Sequence, residues 1–158
     1  MVELIPAVLP KDFDDLTVHL TRVKGETPWV QIDVCDGMLV PSKTWPYTDS
    51  SHWSDISTEK EGLPLWEDFQ FEVDLMVTNP VSVIDDWIHA GVSRIIMHVG
   101  GKNSIEEVRA AVAGRTEFVV AVSFDSDLSQ VEPFIQDGDA IQIMGISRVG
   151  FQGENFDD

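Results

Sequence analysis

Two apolar runs carry a carboxylate in their interior. One is Trp29-Val30-Gln31-Ile32-Asp33-Val34-Cys35-Asp36-Gly37, the other Phe71-Glu72-Val73-Asp74-Leu75-Met76-Val77. Both read as β-strands, and strands this apolar are expected to be buried. A lone charge in such a place costs several kcal/mol unless it has a partner, on the order of a pKa shift that would neutralise it. Either Asp33 and Asp74 are aimed into one shared site, or they point outward from half-exposed strands.

The surrounding pattern alternates. An apolar run at Glu3 to Leu9 ends at Pro10. A helix follows over Asp12 to Lys24, with Phe13, Leu16, Leu20 and Val23 at helical spacing, Asp12 as N-cap and Gly25 as stop. Strands are predicted at Trp29–Cys35, Phe69–Val77, Arg94–Val99, Glu117–Phe124 and Ala140–Ile146. Helices are predicted after Asn79, which would cap with Pro80 in the first turn and Gly91 as stop, over Ser104–Ala113, and over Asp127–Gln136. Alternating strands and short helices indicate parallel βαβ units, hence an α/β fold, doubly wound or barrel. The segment Met38 to Asp68 breaks the rhythm. It is long for a connection, holds Trp45, Trp53 and Trp66 with three prolines, and offers only a weak helix at Ser51–Lys60.

At 158 residues and 43% hydrophobic content, the chain suits one domain with its own core. The single cysteine, Cys35, cannot form an intramolecular disulfide and reads as a small core residue. No stretch approaches the ~18 apolar residues of a membrane span. A soluble, cytoplasmic protein with no membrane partner is the expectation. The net charge of −18, from 28 acidic and 10 basic side chains, argues against nucleic acid. It also means that a phosphorylated ligand would have to be held by backbone N–H groups against the global field. The charge itself is accounted for by solubility or a salty interior.

Ligands of parallel α/β folds meet the carboxyl ends of the strands. That draws attention to Ala7–Pro10, Asp33–Met38, Asp74–Thr78, His98–Lys102, Ser123–Asp125 and Gly145–Gly153. The last stretch has glycines spaced to turn backbone N–H groups toward an anion, although an ordinary βα turn would read the same. His98 alone among the four histidines falls at a strand end, and no pair shows metal-ligand spacing. No Ser or Cys is flanked by an evident base.

Taken together these residues resemble the ribulose-phosphate 3-epimerase family. Pro6-Ala7-Val8-Leu9 is similar to its first strand end. Gln31-Ile32-Asp33-Val34-Cys35-Asp36-Gly37 with Val40-Pro41 is similar to its second, His-x-Asp-Val-Met-Asp-Gly and Val-Pro. Asp74-Leu75-Met76-Val77-Thr78-Asn79-Pro80 follows its third, and Ala90-Gly91-Val92, His98-Val99 and Met144 with Val149-Gly150-Phe151-Gln152-Gly153 follow the later motifs. The resemblance implies a TIM (β/α)8-type barrel, of which about six βα units are present as a single incomplete domain over residues 1–158. It implies an isomerase of carbohydrate metabolism that epimerises a ketopentose 5-phosphate through an enediolate, with metal-assisted proton transfer between two aspartates. Asp33 would be the catalytic base, and Ala7, Met76, Met144, Gly150, Phe151, Gln152 and Gly153 would bind the phosphorylated sugar.

The departures matter. Gln31 and Asp74 stand where the family has metal-binding histidines, leaving Gln31, Asp33 and Asp74 as the metal set, a poor zinc site better suited to Mg²⁺ or Mn²⁺. Ala7 replaces a substrate-binding Ser and Gln152 a loop Gly. The family's seventh and eighth strands, with its second aspartate, fall beyond Asp158. The expectation is a longer natural protein, a partner chain, or a homo-oligomer that covers the open edges. The departures point away from a competent epimerase in this polypeptide alone. They leave open a non-catalytic barrel relative that binds a sugar phosphate or a partner. A decarboxylase or aldolase relative is disfavoured, because Asp33-Val34-Cys35-Asp36 holds no Lys.

Overall fold

Six parallel strands form one sheet in strictly sequential order. They are β1 (Ala7–Val8), β2 (Trp29–Cys35), β3 (Gln70–Met76), β4 (Arg94–His98), β5 (Glu117–Val122) and β6 (Ala140–Ile143). The intervening helices are α1 (Phe13–Val23), the short α2 (Trp53–Ile56), α3 (Ile84–His89) and α4 (Ile105–Val112). The computed structural model describes residues 2–123, 127, 129, 131–132, 140–146 and 149–151. The helix predicted over Asp127–Gln136 lies largely outside the described residues.

The choice between doubly wound sheet and barrel is settled by the two faces. Strand residues Val8, Val30, Ile32, Val34, Phe71, Val73, Leu75, Ile95, Met97 and Val120 share one core with Leu16 and Leu20 of α1, Ile84 and Trp87 of α3, and Ile105, Val108 and Val112 of α4. A doubly wound sheet reverses its strand order and places helices on both faces. Here the order never reverses and these helices cover one face, which is the arrangement of a (β/α)8-type barrel wall. Among the described residues, β1 and β6 are the edges, and Ile143 on β6 is 82% exposed.

Local chemistry explains most boundaries. Asp12 accepts from the Asp15 N–H at 2.8 Å and caps α1, while Gly25 at φ +86° follows its end. Ser104 and Glu107 close a reciprocal capping box on α4. β1 is shorter than the apolar run suggests, because Pro6 and Pro10 bracket it and cannot donate to the ladder. Asn79 does not cap with its side chain. Pro80–Ser82 is instead a 3₁₀ turn in which Asn103 Oδ1 accepts from the Val81 N–H at 3.3 Å, and α3 starts only at Ile84.

Between β2 and β3 the expected helix over Ser51–Lys60 shrinks to the four residues of α2. The segment is nevertheless well packed. Trp45 is fully buried, its ring 5.3 Å from Trp53, 6.0 Å from Trp87 and 5.9 Å from Phe13. Aromatic rings thus do the covering that a long crossover helix does elsewhere. Truncating Trp45→Ala should cost about 3–5 kcal/mol in urea unfolding. Trp66→Ala, at a site 63% exposed, should change stability by less than about 0.5 kcal/mol.

Candidate functional site

Side chains alternate across a strand, so the residues that do not face the helices face the inside of the curved sheet. Register aligns them. Asp33 is the neighbour of Asp74, and Asp74 of Ile96. His98 aligns with Ala121, and Ala121 with Gln142. One level lower, Gln31, Glu72, Arg94 and Glu117 run side by side. The polar residues of these otherwise apolar strands therefore fall on the inner face, interleaved with Ile96, Val119 and Ala121. The two carboxylates neither point outward nor stand apart.

The lowest polar level is structural. Arg94 Nη1 donates to Glu72 Oε2 at 2.5 Å and its Nε to Glu117 Oε2 at 2.7 Å, while the guanidinium lies 4.7 Å over the Trp29 ring. Burial raises Glu72 above the ordinary carboxylate range against the pull of Arg94.

Above it sit the acids. Asp33 is 8% exposed, Asp74 1% and His98 7%. Gln31 Nε2 donates to Asp33 Oδ1 at 2.7 Å, and Gln142 Nε2 donates to Asp74 Oδ2 at 3.1 Å. His98 Nε2 lies 2.8 Å from Asp74 Oδ1, an ion-pair distance. Neither atom has an aligned hydrogen-bond partner among the described residues. Burial first, then the charge of Asp74, push the Asp33 carboxyl up to about 7, against the Gln31 hydrogen bond and His98. Burial alone would lower His98, but the neighbouring charge and contact of Asp74, helped by Asp33, hold it above the usual imidazole value. A carboxyl titrating near neutrality is suited to take and return a proton.

A frame fixes Asp33. Thr44 Oγ1 donates to the Asp33 carbonyl and accepts from the Cys35 N–H, both at 2.8 Å. Asp36 accepts from the Met38 and Leu39 N–H groups and, across to the next strand end, from the Thr78 N–H at 2.7 Å. Partial burial works against it, yet these backbone donors hold Asp36 below the usual carboxylate range. Cys35 is fully buried against Val40 and Met76, and burial together with Asp33 and Asp74 pushes its thiol up to about 12. It is inert, as expected from sequence.

The other expected residues distribute as follows. Ala7 aligns with Gln31 on β1. Met76 lies beside Cys35, and Met144 packs with Ile96, Val119 and Ala121. Gly150 sits at φ +85° with Val40 Cγ2 only 2.9 Å from where a Cβ would be and Cys35 Sγ 3.6 Å away. Any side chain would collide there, so the glycine lets the turn close over the carboxyl end of β2. Gly150 and Phe151 line a cavity of about 300 Å³ with Leu9, Ser42, Lys43 and Thr44. The site thus lies at the carboxyl ends of the strands. Gln152 and Gly153 lie outside the described residues. Sequence reasoning gave no role to Gln142, Thr44 or Asp36 and only noted His98. Gln142 and His98 are polar residues inside apolar strands, whereas Thr44 and Asp36 lie outside the strands and carried no such signal.

Gln31, Asp33 and Asp74 do come together, but not as a donor set for a divalent ion. Gln31 turns its amide N–H onto Asp33, and the two Asp74 oxygens face His98 and Gln142. Among the described residues, no three His, Cys, Asp or Glu side chains are grouped to hold a metal ion. The residues present do not fit the ion that the resemblance implies. No helix of the described residues is long and apolar enough to cross a membrane.

Sequential parallel strands, helices on the outer face and buried acids toward the carboxyl ends of β2 and β3 define an α/β barrel-type fold. The profile of the Ribulose-phosphate 3 epimerase family matches residues 3–158, and the chain belongs to that family. It is 29% identical over 156 residues to ribulose-phosphate 3-epimerase of Treponema pallidum (strain Nichols), covering 96% of this chain and 65% of that one. It is 23% identical over 160 residues to ribulose-phosphate 3-epimerase of Rhodobacter capsulatus, covering 99% and 65%. The chain spans about 65% of the length of these relatives. The crystal structure of 3-hexulose-6-phosphate synthase from Salmonella typhimurium superposes with a TM-score of 0.57 at 14% identity, over 87% of this chain and 61% of that one. That likeness supports the barrel fold.

The raised Asp33 has a consequence for stability. Between pH 3.8 and about 7 the folded state holds a proton that the unfolded chain releases. Its contribution is therefore intact below pH 3.8 and is lost as pH climbs through about 7. Asp33→Asn removes the loss, so the variant should be more stable than wild type at pH 8, on the order of 4 kcal/mol, and about equal to it at pH 4. Urea unfolding at the two pH values reads the difference.

Proposed function

We propose that residues 1–158 form one barrel unit that binds a ketopentose 5-phosphate and exchanges the proton on its carbon 3, the half-reaction of a 3-epimerase. The observation behind this reading is Asp33, a buried carboxyl tuned to about 7 at the strand ends of a chain of this family. Its carboxylate would take the C3 proton. The C3–H bond breaks, its electron pair moves toward C2, and the C2 carbonyl becomes the oxygen of an enediolate. Return of the proton to the same face restores the substrate, and return to the opposite face inverts it. Asp74 neighbours Asp33 in register and lies on the same side, so inversion needs an acid elsewhere. Gln31 and Thr44 would hold Asp33 in place. Met76 and Met144 would form apolar walls, and Ala7, Gly150 and Phe151, with Gln152 and Gly153, would contact the sugar phosphate. Further strands or a second copy of the chain would cover the edges at β1 and β6.

The second reading is binding without turnover, favoured by the protein partners that Gln31, Asp33 and Asp74 already have. One experiment separates the two. The protein is incubated with ribulose 5-phosphate in D₂O and deuterium at C3 is followed by NMR. Exchange is expected, slowed about 10²- to 10⁴-fold by Asp33→Asn. The base acts ionised, so the rate should fall as pH drops below about 7. Equal exchange by wild type and variant would remove Asp33 from the reaction, and saturable binding with no exchange would leave the binding reading.

A further inference from the structure

We propose that a second site lies on the outer face, at the amino ends of β3 and β4, and takes a small organic cation of the alkylammonium class. A cavity of about 360 Å³ opens there between the loop of residues 59–66 and the carboxyl end of α3 at His89. That volume falls in the range of small-molecule pockets. Phe69 and Phe71, both buried with ring centroids 6.2 Å apart, form an aromatic floor. Trp66, Glu59 and Glu61 stand at its edge. Phe69 precedes β3 and Gly91 precedes β4, so the cavity is at the opposite end of the strands from the carboxyl-end mouth. It is separate from the place proposed for the sugar phosphate.

Trp66 marks this cavity out. Trp29 lies under the Arg94 guanidinium at 4.7 Å, and Trp45, Trp53 and Trp87 pack on one another. The Trp66 indole has neither a ring partner nor a hydrogen bond among the described residues, and the residue is 63% exposed. It is nevertheless seated. A Cβ at position 62 would fall 2.7 Å from Trp66 Cδ1, so glycine is what lets the indole lie there. An indole held in place and left bare beside two buried phenyl rings is a surface for a ligand.

Charge selects the class of ligand. Aromatic faces attract cations, as Arg94 over Trp29 shows in this same chain. The Glu59 carboxylate has no ion pair among the described residues. Glu61 pairs with His52 at 2.9 Å, and Lys60, which also lines the cavity, lies 3.6 Å from Asp55. The net charge of −18 draws cations toward the whole surface. A hydrated metal ion gains nothing from an aromatic floor. An alkylammonium ion buries its methyl groups against the rings while its charge meets Glu59.

The probe is choline chloride, with its uncharged carbon isostere dimethylbutanol as control, followed by ligand-observed NMR. No sugar phosphate is present, so the outcome is independent of C3 exchange. Saturable choline binding is expected in wild type. Trp66→Ala and Glu59→Gln should each weaken it about 3- to 30-fold, and dimethylbutanol should bind more weakly than choline by a similar factor. Trp66→Phe should keep part of the affinity. Both Trp66 and Glu59 are exposed, and an unchanged urea midpoint in each variant separates loss of binding from loss of fold. Binding that does not saturate, unchanged affinity in Trp66→Ala or Glu59→Gln, or equal binding of choline and dimethylbutanol overturns the proposal.

Discussion

Two aspartates held next to each other on the buried side of a sheet are the constraint around which the inner face is built. Asp33 and Asp74 are fixed as neighbours by the pairing of β2 and β3, and no side-chain rearrangement can separate them far. Burial and mutual repulsion both favour the neutral form. Three polar side chains of the sheet lie against them. Gln31 and Gln142 donate to them, and His98 Nε2 lies 2.8 Å from Asp74 Oδ1.

The sheet can tolerate such a chamber because its other face is wholly apolar. The packing of α1, α3 and α4 on one side, with the Trp45, Trp53 and Trp87 cluster where a crossover helix would otherwise lie, supplies the burial that holds the strands in register. The inner face is then free to carry buried polar groups. Thr44 and Asp36 tie the ends of β2 and β3 to the loops, so the acids are held by backbone contacts and do not depend on each other for position. A family whose pattern places imidazoles at two of these positions is matched here by a chain that keeps the acid at Asp33 and has Gln31 and Asp74 in their place.

The strand and helix order was legible because hydrophobic periodicity and caps are local: Asp12, Gly25, Ser104 and Gly91 each mark an end that the structure retains or shifts by a residue or two. The inner face was legible in part. An acid inside an apolar run flagged Asp33 and Asp74, but period 2 alone gives no sign of which face is inside. His98 and Gln142 belong to the same cluster through pairing across strands dozens of residues apart, which single-strand patterns do not encode. The segment around Trp45 was opaque for a related reason. Its order comes from rings on three different elements, with little propensity of its own.

The account rests on Asp33 and Asp74 sharing one desolvated space. Its most direct test is a carbon-13 NMR titration of the Asp33 carboxyl in wild type and in Asp74→Asn. The account predicts a midpoint near 7 in wild type, moving down when the Asp74 charge is removed. A midpoint near 3.8 in both proteins would contradict it.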